Sequence, residues 1–108
     1  MRNTTSFKPF PRSLRISKEI VRLLPNAIRS IIPNKIPFLI TFTNCVVSSD
    51  CSHAKVYFVQ HDNTTEHTIA LLTLNAKKFR MYFRSKLNIK KIPNFTFIHD
   101  TAFPVSKN

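Results

Sequence analysis

Apolar residues recur at three- and four-residue steps through the first third of the chain, a spacing that predicts an amphipathic helix from Ser13. Its apolar positions are Ile16, Ile20, Leu23 or Leu24, Ala27 and Ile31. Pro25 falls inside this segment, where a proline removes one helical hydrogen bond and crowds the preceding turn. We therefore expect a single helix that bends at Pro25 and is stopped by Pro33 and Pro37.

The pattern then changes to the two-residue alternation of a β-strand. In residues 38–47, Ile40 and Phe42 alternate with threonines, and β-branched and aromatic side chains predominate. The turn-forming residues 48–52 separate this segment from a second predicted strand, residues 53–60. Two strands so close in sequence predict an antiparallel hairpin.

A second helix is predicted from the segment Asn63 to Glu66, which has the form of a capping box. The apolar stripe of this helix falls within an arc of about 80°. The stripe consists of Leu72, Ala76, Phe79, Phe83 and Leu87. A final strand around Phe95 and Phe97 follows Pro93. The order helix, strand, strand, helix, strand predicts an α+β fold with two helices over a three-stranded sheet.

Composition narrows the range of partners. The 108 residues are 43% hydrophobic, which is enough for the core of one domain. Lys and Arg number 17 against 5 Asp and Glu, for a net charge of +12, and this imbalance indicates a polyanionic partner. Nucleic acid is favoured over an anionic membrane because no segment has the apolar length of a membrane span. The N-terminus is broken by Pro9 and Pro11 and does not resemble a signal peptide.

The cations concentrate in residues 74–91, and no acid occurs between Glu66 and Asp100. The cations of this run are Lys77, Lys78, Arg80, Arg84, Lys86, Lys90 and Lys91. A solvated helix face would explain a mixed run of charges, but solubility and i,i+4 pairing both call for interspersed acids. We therefore interpret the run as an anion-binding surface. Among its aromatic residues, Tyr82 is equally compatible with packing and with stacking on an unpaired base.

The sequence gives little support for a catalytic site or a metal-binding site. Cys45 and Cys51 are expected to be free thiols, although a bridge across the predicted turn is geometrically conceivable. With His53 they give a spacing that matches no common zinc site, and no pair of acids shares one face. The absence of glycine excludes phosphate-binding loops of the Walker and dinucleotide types. We expect no enzymatic activity, no cofactor, no metal and no small-molecule substrate.

Two segments, residues 48–58 and 79–100, resemble ribosome-binding factor A in order and spacing. In the first segment, the run from Ser48 to Tyr57 carries the family's hairpin-turn motif. The second segment resembles the family's last helix and strand, and its matching residues are Arg80, Arg84, Lys90, Lys91, Pro93, Phe95, Phe97 and Asp100. Arg15-Ile16-Ser17 looks like the start of the family's first helix, so the resemblance covers about residues 12–102.

The resemblance implies a type II KH-like fold: helix, strand, strand, kinked helix, strand, with the sheet covered on one face by helices. It divides the chain into a basic N-terminal arm (1–12), a KH-like domain (13–102) and a short tail (103–108). It also implies a monomeric assembly factor that binds the immature 30S subunit and its 16S rRNA in late maturation and rRNA processing, and that matters for growth in the cold. Such a factor belongs in the bacterial cytoplasm or in an organelle. The alternative is a constitutive ribosomal protein or another structural RNA-binding protein.

The chain departs from the family in its second helix, which in the family is interrupted by an Ala-x-Gly kink. Asn75-Ala76-Lys77 stands at that place, so the glycine is missing. Asn75 can adopt a left-handed conformation, or the helix runs straight through. The common phase of Leu72, Ala76 and Phe79 favours a continuous helix or a small bend.

Together these patterns predict an electrostatic RNA-binding surface. Lysines and arginines contact phosphates and release counterions, and the folded domain fixes their positions. The predicted contact residues are Lys77, Lys78, Arg80, Arg84, Lys90, Lys91, Arg15 and Lys55.

Overall fold

The computed structural model describes residues 12–32, 40–60 and 65–101. They form, in chain order, α1 (Arg12–Ile31), β1 (Ile40–Val47), β2 (His53–Gln60), α2 (Thr65–Leu74), α3 (Ala76–Lys86) and β3 (Asn94–His99). This order confirms the predicted α+β fold, with the second helix divided in two. The predictions for the N-terminal arm before Arg12, for Pro33 and Pro37, for Asn63 and for the tail at 103–108 lie outside these residues.

The three strands form one sheet in the order β1-β2-β3. The predicted hairpin is confirmed, because β1 and β2 pair antiparallel from Ile40–Gln60 to Val47–Ala54. The register shifts between Phe42 and Asn44, which leaves an irregularity in β1. Strand β3 is parallel to β2, and α2 and α3 supply the long crossover that a parallel pair requires.

The helices cover one face of the sheet, as predicted. Along β2, Ala54, Val56 and Phe58 are fully buried, whereas Lys55 between them is exposed on the opposite face. Helix α1 packs mainly on β1, and α2 and α3 pack on β3. Four members of the predicted stripe are buried and Ala76 is half-buried; the buried members are Leu72, Phe79, Phe83 and Leu87.

Aromatic contacts hold α3 against β3. The ring centroids of Phe79 and Phe97 are 5.4 Å apart, and those of Phe83 and Phe95 are 5.3 Å apart. Tilted ring pairs at this spacing add to the stabilisation that comes from burial alone. Successive turns of α3 therefore follow alternate residues of β3, which fixes the direction of the helix.

Helix α1 is continuous across Pro25, so the prediction of one helix is confirmed. It begins at Arg12, one residue earlier than expected. Pro25 is exposed, while Leu24, Ala27 and Ile28 around it are buried against the sheet. None of the helices formed by residues 12–31, 65–74 and 76–86 is long and apolar enough to cross a membrane.

The second helix is interrupted at Asn75 alone, so the kink that the resemblance implied is confirmed. Of the two arrangements that the sequence favoured, a continuous helix or a small bend, the continuous helix is wrong. Asn75 has φ −100° and ψ 14°, which is not the left-handed conformation considered from the sequence. Its N–H donates to the carbonyls of Leu71 (3.2 Å) and Leu72 (3.1 Å), and its Nδ2 donates to the carbonyl of Leu71 (2.9 Å). The Leu71 carbonyl thus accepts both the N–H and the side-chain amide of Asn75 at the end of α2.

Candidate nucleic-acid interface

Helix α3 contributes to the core on one side and presents cations on the other. Phe79 and Phe83 are fully buried, and the four predicted contact residues of the helix are exposed: Lys77, Lys78, Arg80 and Arg84. Among the residues that the structure describes, no acid lies within 4 Å of any of these four cations. The basic run is therefore both an ordinary amphipathic helix and an uncompensated positive surface.

Arg80 also has a structural role. Its Nη2 donates a hydrogen bond of 3.2 Å to the carbonyl oxygen of Ile92. Ile92 ends the loop that carries Lys90 and Lys91, so this bond attaches the loop to α3. Changing Arg80 would therefore disturb the loop as well as remove a charge, and Arg80 is a poor choice for a test of phosphate contact alone.

Two apolar side chains lie exposed among the cations. Leu74 is 80% exposed and Met81 is 63% exposed. Tyr82, in contrast, is half-buried: its ring meets Phe83 edge-on at 5.4 Å, and Lys86 Nζ lies 5.5 Å from its centroid. The packing interpretation of Tyr82 is thereby favoured over base stacking. The exposure of both Leu74 and Met81 follows from helical spacing, because they lie on the side of the helix opposite the apolar stripe.

The loop cations Lys90 and Lys91 lie beside the β1–β2 turn and the first turn of α1. They line a recess of about 280 Å³, and the other described residues that line it are Arg12, Ile16, Ser49, Asp50, Cys51 and Ile89. The three cations come from segments far apart in sequence. Tertiary packing therefore joins the start of the first helix to the end of the basic run.

The turn beside this recess is held by a network around Asp50. Asp50 Oδ1 accepts hydrogen bonds from Ser52 Oγ (2.7 Å), Ser48 Oγ (2.8 Å) and the Ser52 N–H (3.0 Å). These bonds, those of Ser52 above all and then that of Ser48, lower the pKa of Asp50 to about 2, with a small contribution from the charge of Lys91. Asp50 is therefore ionised at neutral pH.

Cys51, inside this turn, has φ 62° and is the one described residue with a positive φ. Its N–H donates to the carbonyl of Ser48 at 2.8 Å, which closes the turn. The motif by which the sequence resembled a known family is thus a hydrogen-bonded turn, and it fixes the hairpin next to Lys90 and Lys91.

Arg15 lines a second recess, of about 270 Å³, together with Arg12 and Lys86. Glu19 and the segment 87–89 complete its described lining. From the sequence, Arg12 was expected in the N-terminal arm, and Lys86 was not among the predicted contact residues. Both could have been found from their spacing: Arg12 lies three residues before Arg15 on one face of α1, and Lys86 belongs to the basic run.

Lys55 lies apart from the other predicted residues. It pairs with Val46 on β1 and with Thr96 on β3, on the sheet face that the helices leave open. Of the eight predicted residues, the structure brings Arg15, Lys90 and Lys91 to one end of the helical layer, places four on α3, and separates Lys55 from them.

The cysteines and histidines form no chemical centre among the described residues. Cys45 is a buried free thiol, and burial raises its pKa to about 12; Cys51 is free and half-buried. His53 and His67 are exposed, and His99 packs against Phe58 at 5.7 Å. Within residues 12–32, 40–60 and 65–101, no three His, Cys, Asp or Glu side chains are grouped so that they could hold a metal ion.

Comparison with known proteins gives one consistent result. A family model described as ribosome-binding factor A matches residues 12–108. Ribosome-binding factor A of Alkalilimnicola ehrlichii is 32% identical over 99 residues, which are 89% of this chain and 76% of that protein. Ribosome-binding factor A of Dichelobacter nodosus is 37% identical over 95 residues, which are 84% and 77% of the two chains. The chain belongs to the ribosome-binding factor A family.

A solved structure agrees with this family assignment. The crystal structure of ribosome-binding factor A from Thermus thermophilus matches with a TM-score of 0.70 and 18% identity, over 79% of this chain and 92% of that one. At this identity the match bears on the fold alone, and it supports the KH-like arrangement that the sequence resemblance implied. This family member keeps the interruption of its second helix with Asn75 in place of the expected glycine.

Proposed function

We propose that this chain binds the 16S rRNA of the immature 30S subunit and acts as an assembly factor in late maturation and rRNA processing. The observation that carries the proposal is the uncompensated positive surface of α3 and the loop that follows it. All eight predicted contact residues are exposed, and none of them lies within 4 Å of a described acid. Membership of a family named for ribosome binding supplies the partner.

The start of α3 fits a phosphate in particular. The interruption at Asn75 gives the chain a second helix N-terminus, and the Asn75 side chain makes no capping bond there. The first N–H groups of a helix lack intrahelical partners, and the helix dipole favours an anion at that end. Lys77 and Lys78 stand in this turn, so two exposed cations accompany these N–H groups.

The positive charge of this surface determines how it binds RNA. Each cation that neutralises a phosphate releases counterions, so affinity falls steeply with salt. Phosphate contacts position a protein without reading sequence. The selectivity of this chain therefore comes from RNA shape and from neighbouring ribosomal surfaces. In this proposal the protein is a monomeric, non-enzymatic factor of the cytoplasm.

Co-sedimentation with small subunits tests the surface. The variant K78Q/R84Q removes two charges without touching the Arg80–Ile92 bond. We expect about a tenfold loss of binding and a salt slope shallower by about two units. The variant R22Q/R29Q on α1 is the matched control: it removes the same charge and should bind within about twofold of the parent. Equal binding by both variants would contradict the assignment of α3.

Gradient fractionation of cell extracts tests the role. An assembly factor appears on free small subunits and their precursors and is missing from 70S ribosomes. A protein that stays in 70S ribosomes at the stoichiometry of ribosomal proteins would instead be a constitutive component. Crosslinking to RNA in cells, followed by sequencing of the bound fragments, identifies the RNA segment.

A further inference from the structure

The two recesses described above are neighbours at one end of the helical layer. They share Arg12, Ile16 and Ile89 in their linings, so Arg12 stands between them. We call this paired cavity the end recess. Five cations line it, and they come from α1, from the end of α3 and from the loop before β3: Arg12, Arg15, Lys86, Lys90 and Lys91.

The two acids of the end recess, Glu19 and Asp50, offset only part of the charge of these five cations. Glu19 Oε1 accepts a hydrogen bond of 2.6 Å from Arg22 Nη2, on the same helix. Asp50 is engaged by the hydroxyls of Ser48 and Ser52 and by the N–H of Ser52. All five cations are exposed, and none of them lies within 4 Å of an acid among the described residues. The end recess therefore carries an excess of positive charge that the fold itself does not use.

The lining of the end recess suits a phosphate group. Its two halves have volumes of about 270 and 280 Å³, which leaves room for a phosphate beside the cations. Ile16 and Ile89 form an apolar floor, which weakens the screening of charges near it. Arginine contributes planar, bidentate donors and lysine contributes point charges, and both bind phosphate.

We propose that the end recess holds a backbone phosphate of the bound RNA, as a contact separate from the one at the start of α3. Lys77 and Lys86 lie about 14 Å apart along the helix axis, so one phosphate cannot reach both places. The inference rests on the proposed function for its source of phosphate. It adds two residues, Arg12 and Lys86, to the predicted contact residues. It also requires an RNA that presents phosphates at both ends of α3.

Binding of a labelled RNA hairpin at several salt concentrations tests the end recess. The variant R12Q/K91Q removes two of its charges, and K18Q/R29Q removes the same number from exposed positions of α1 that do not line the end recess. We expect the first variant to bind about ten- to thirtyfold more weakly, with a salt slope lower by about two units, and the control to stay within about twofold. Equal affinities for the two variants overturn the proposal.

A measurement on the unmodified protein avoids any effect of substitution on folding. Amide chemical shifts are followed during titration with the RNA hairpin and, separately, with pyrophosphate at constant ionic strength. Shifts at Arg12, Ile89 and Lys91 with RNA support a backbone phosphate. Saturable shifts there with pyrophosphate alone support the phosphate site with a free phosphate compound as its ligand. Shifts with neither probe overturn the proposal.

These results separate the end recess from the proposed function. If K78Q/R84Q weakens binding to small subunits and R12Q/K91Q does not, the proposed function stands and the end recess fails. If the parent binds neither the hairpin nor small subunits, the proposed function fails. In that case pyrophosphate shifts that disappear in R12Q/K91Q would still establish a phosphate site.

Discussion

Helix α1 and the pair α2–α3 differ in continuity, and in each case the sequence predicts the opposite. Helix α1 has a proline at position 25 and runs unbroken from Arg12 to Ile31. The segment from Thr65 to Lys86 has neither proline nor glycine, and it is interrupted at Asn75. Helix propensity alone predicts a break at Pro25 and a continuous helix over residues 65–86. Helix propensity therefore does not determine where these helices end.

The magnitudes show why α1 survives its proline. An interior proline costs about 3 kcal/mol. Against this, α1 buries Ile20, Leu24 and Ile28 almost completely on the sheet, and each such side chain contributes about 1.5–3 kcal/mol. Pro25 itself is exposed, so its ring displaces nothing in the core. Burial therefore outweighs the lost hydrogen bond.

The interruption at Asn75 does not follow from the length of the sheet. A straight helix over residues 65–86 would be about 33 Å long, but its buried residues Leu72 and Phe83 would lie only about 17 Å apart along the axis. Strand β3, with six residues, spans about 20 Å and could accommodate both. The local feature at the interruption is the bond from Asn75 Nδ2 to the carbonyl of Leu71, and the propensity of asparagine costs well under 1 kcal/mol in either arrangement.

The largest expected effect tests whether packing holds both helices. Leu24 on α1 and Phe79 on α3 are fully buried, so L24A should lower the free energy of unfolding by about 2–5 kcal/mol and F79A by about 3–5 kcal/mol. Chemical denaturation measures both. A cost under about 1 kcal/mol for either variant would mean that packing does not determine the course of that helix.

An intermediate effect is expected at Pro25. P25A restores a helical N–H and removes the steric conflict, and no buried contact is lost because Pro25 is exposed. We expect the free energy of unfolding to rise by about 1–3 kcal/mol, less than the full cost of proline because alanine also gives the unfolded chain more freedom. Thermal and chemical denaturation should agree on the sign. A destabilised P25A would show that the proline has a packing role.

The smallest effects form a matched pair of glycine substitutions. Asn75 has a negative φ, so N75G should lower stability by about 0.5–1 kcal/mol through chain entropy. Cys51 has φ 62°, where glycine relieves a steric cost, so C51G should raise stability by about 0.5–1 kcal/mol. Both are measured as shifts in the denaturation midpoint. Changes of the same sign would refute the assignment of the strained position to Cys51 rather than Asn75.

Much of the candidate site was predictable because helical periodicity distinguishes the buried side of a helix from its exposed side. The spacing of Phe79 and Phe83 predicted the buried side of α3, and the cations between them were left for solvent. Periodicity could not predict that Arg12 lies near Lys90 and Lys91, because these residues are separated by most of the chain. It also could not show that Arg80 would bond to Ile92.

The amino-acid sequence by itself determined the order of elements, the buried stripes and the sign of the surface, because each depends on residue types at short spacing. The parallel pairing of β2 with β3, the interruption at Asn75 and the left-handed Cys51 were decided by tertiary structure. The physical reason is that pairing between strands and packing between segments distant in sequence depend on contacts that short-range spacing does not encode. Local hydrogen bonds, worth about 1 kcal/mol each, are then arranged to suit those contacts.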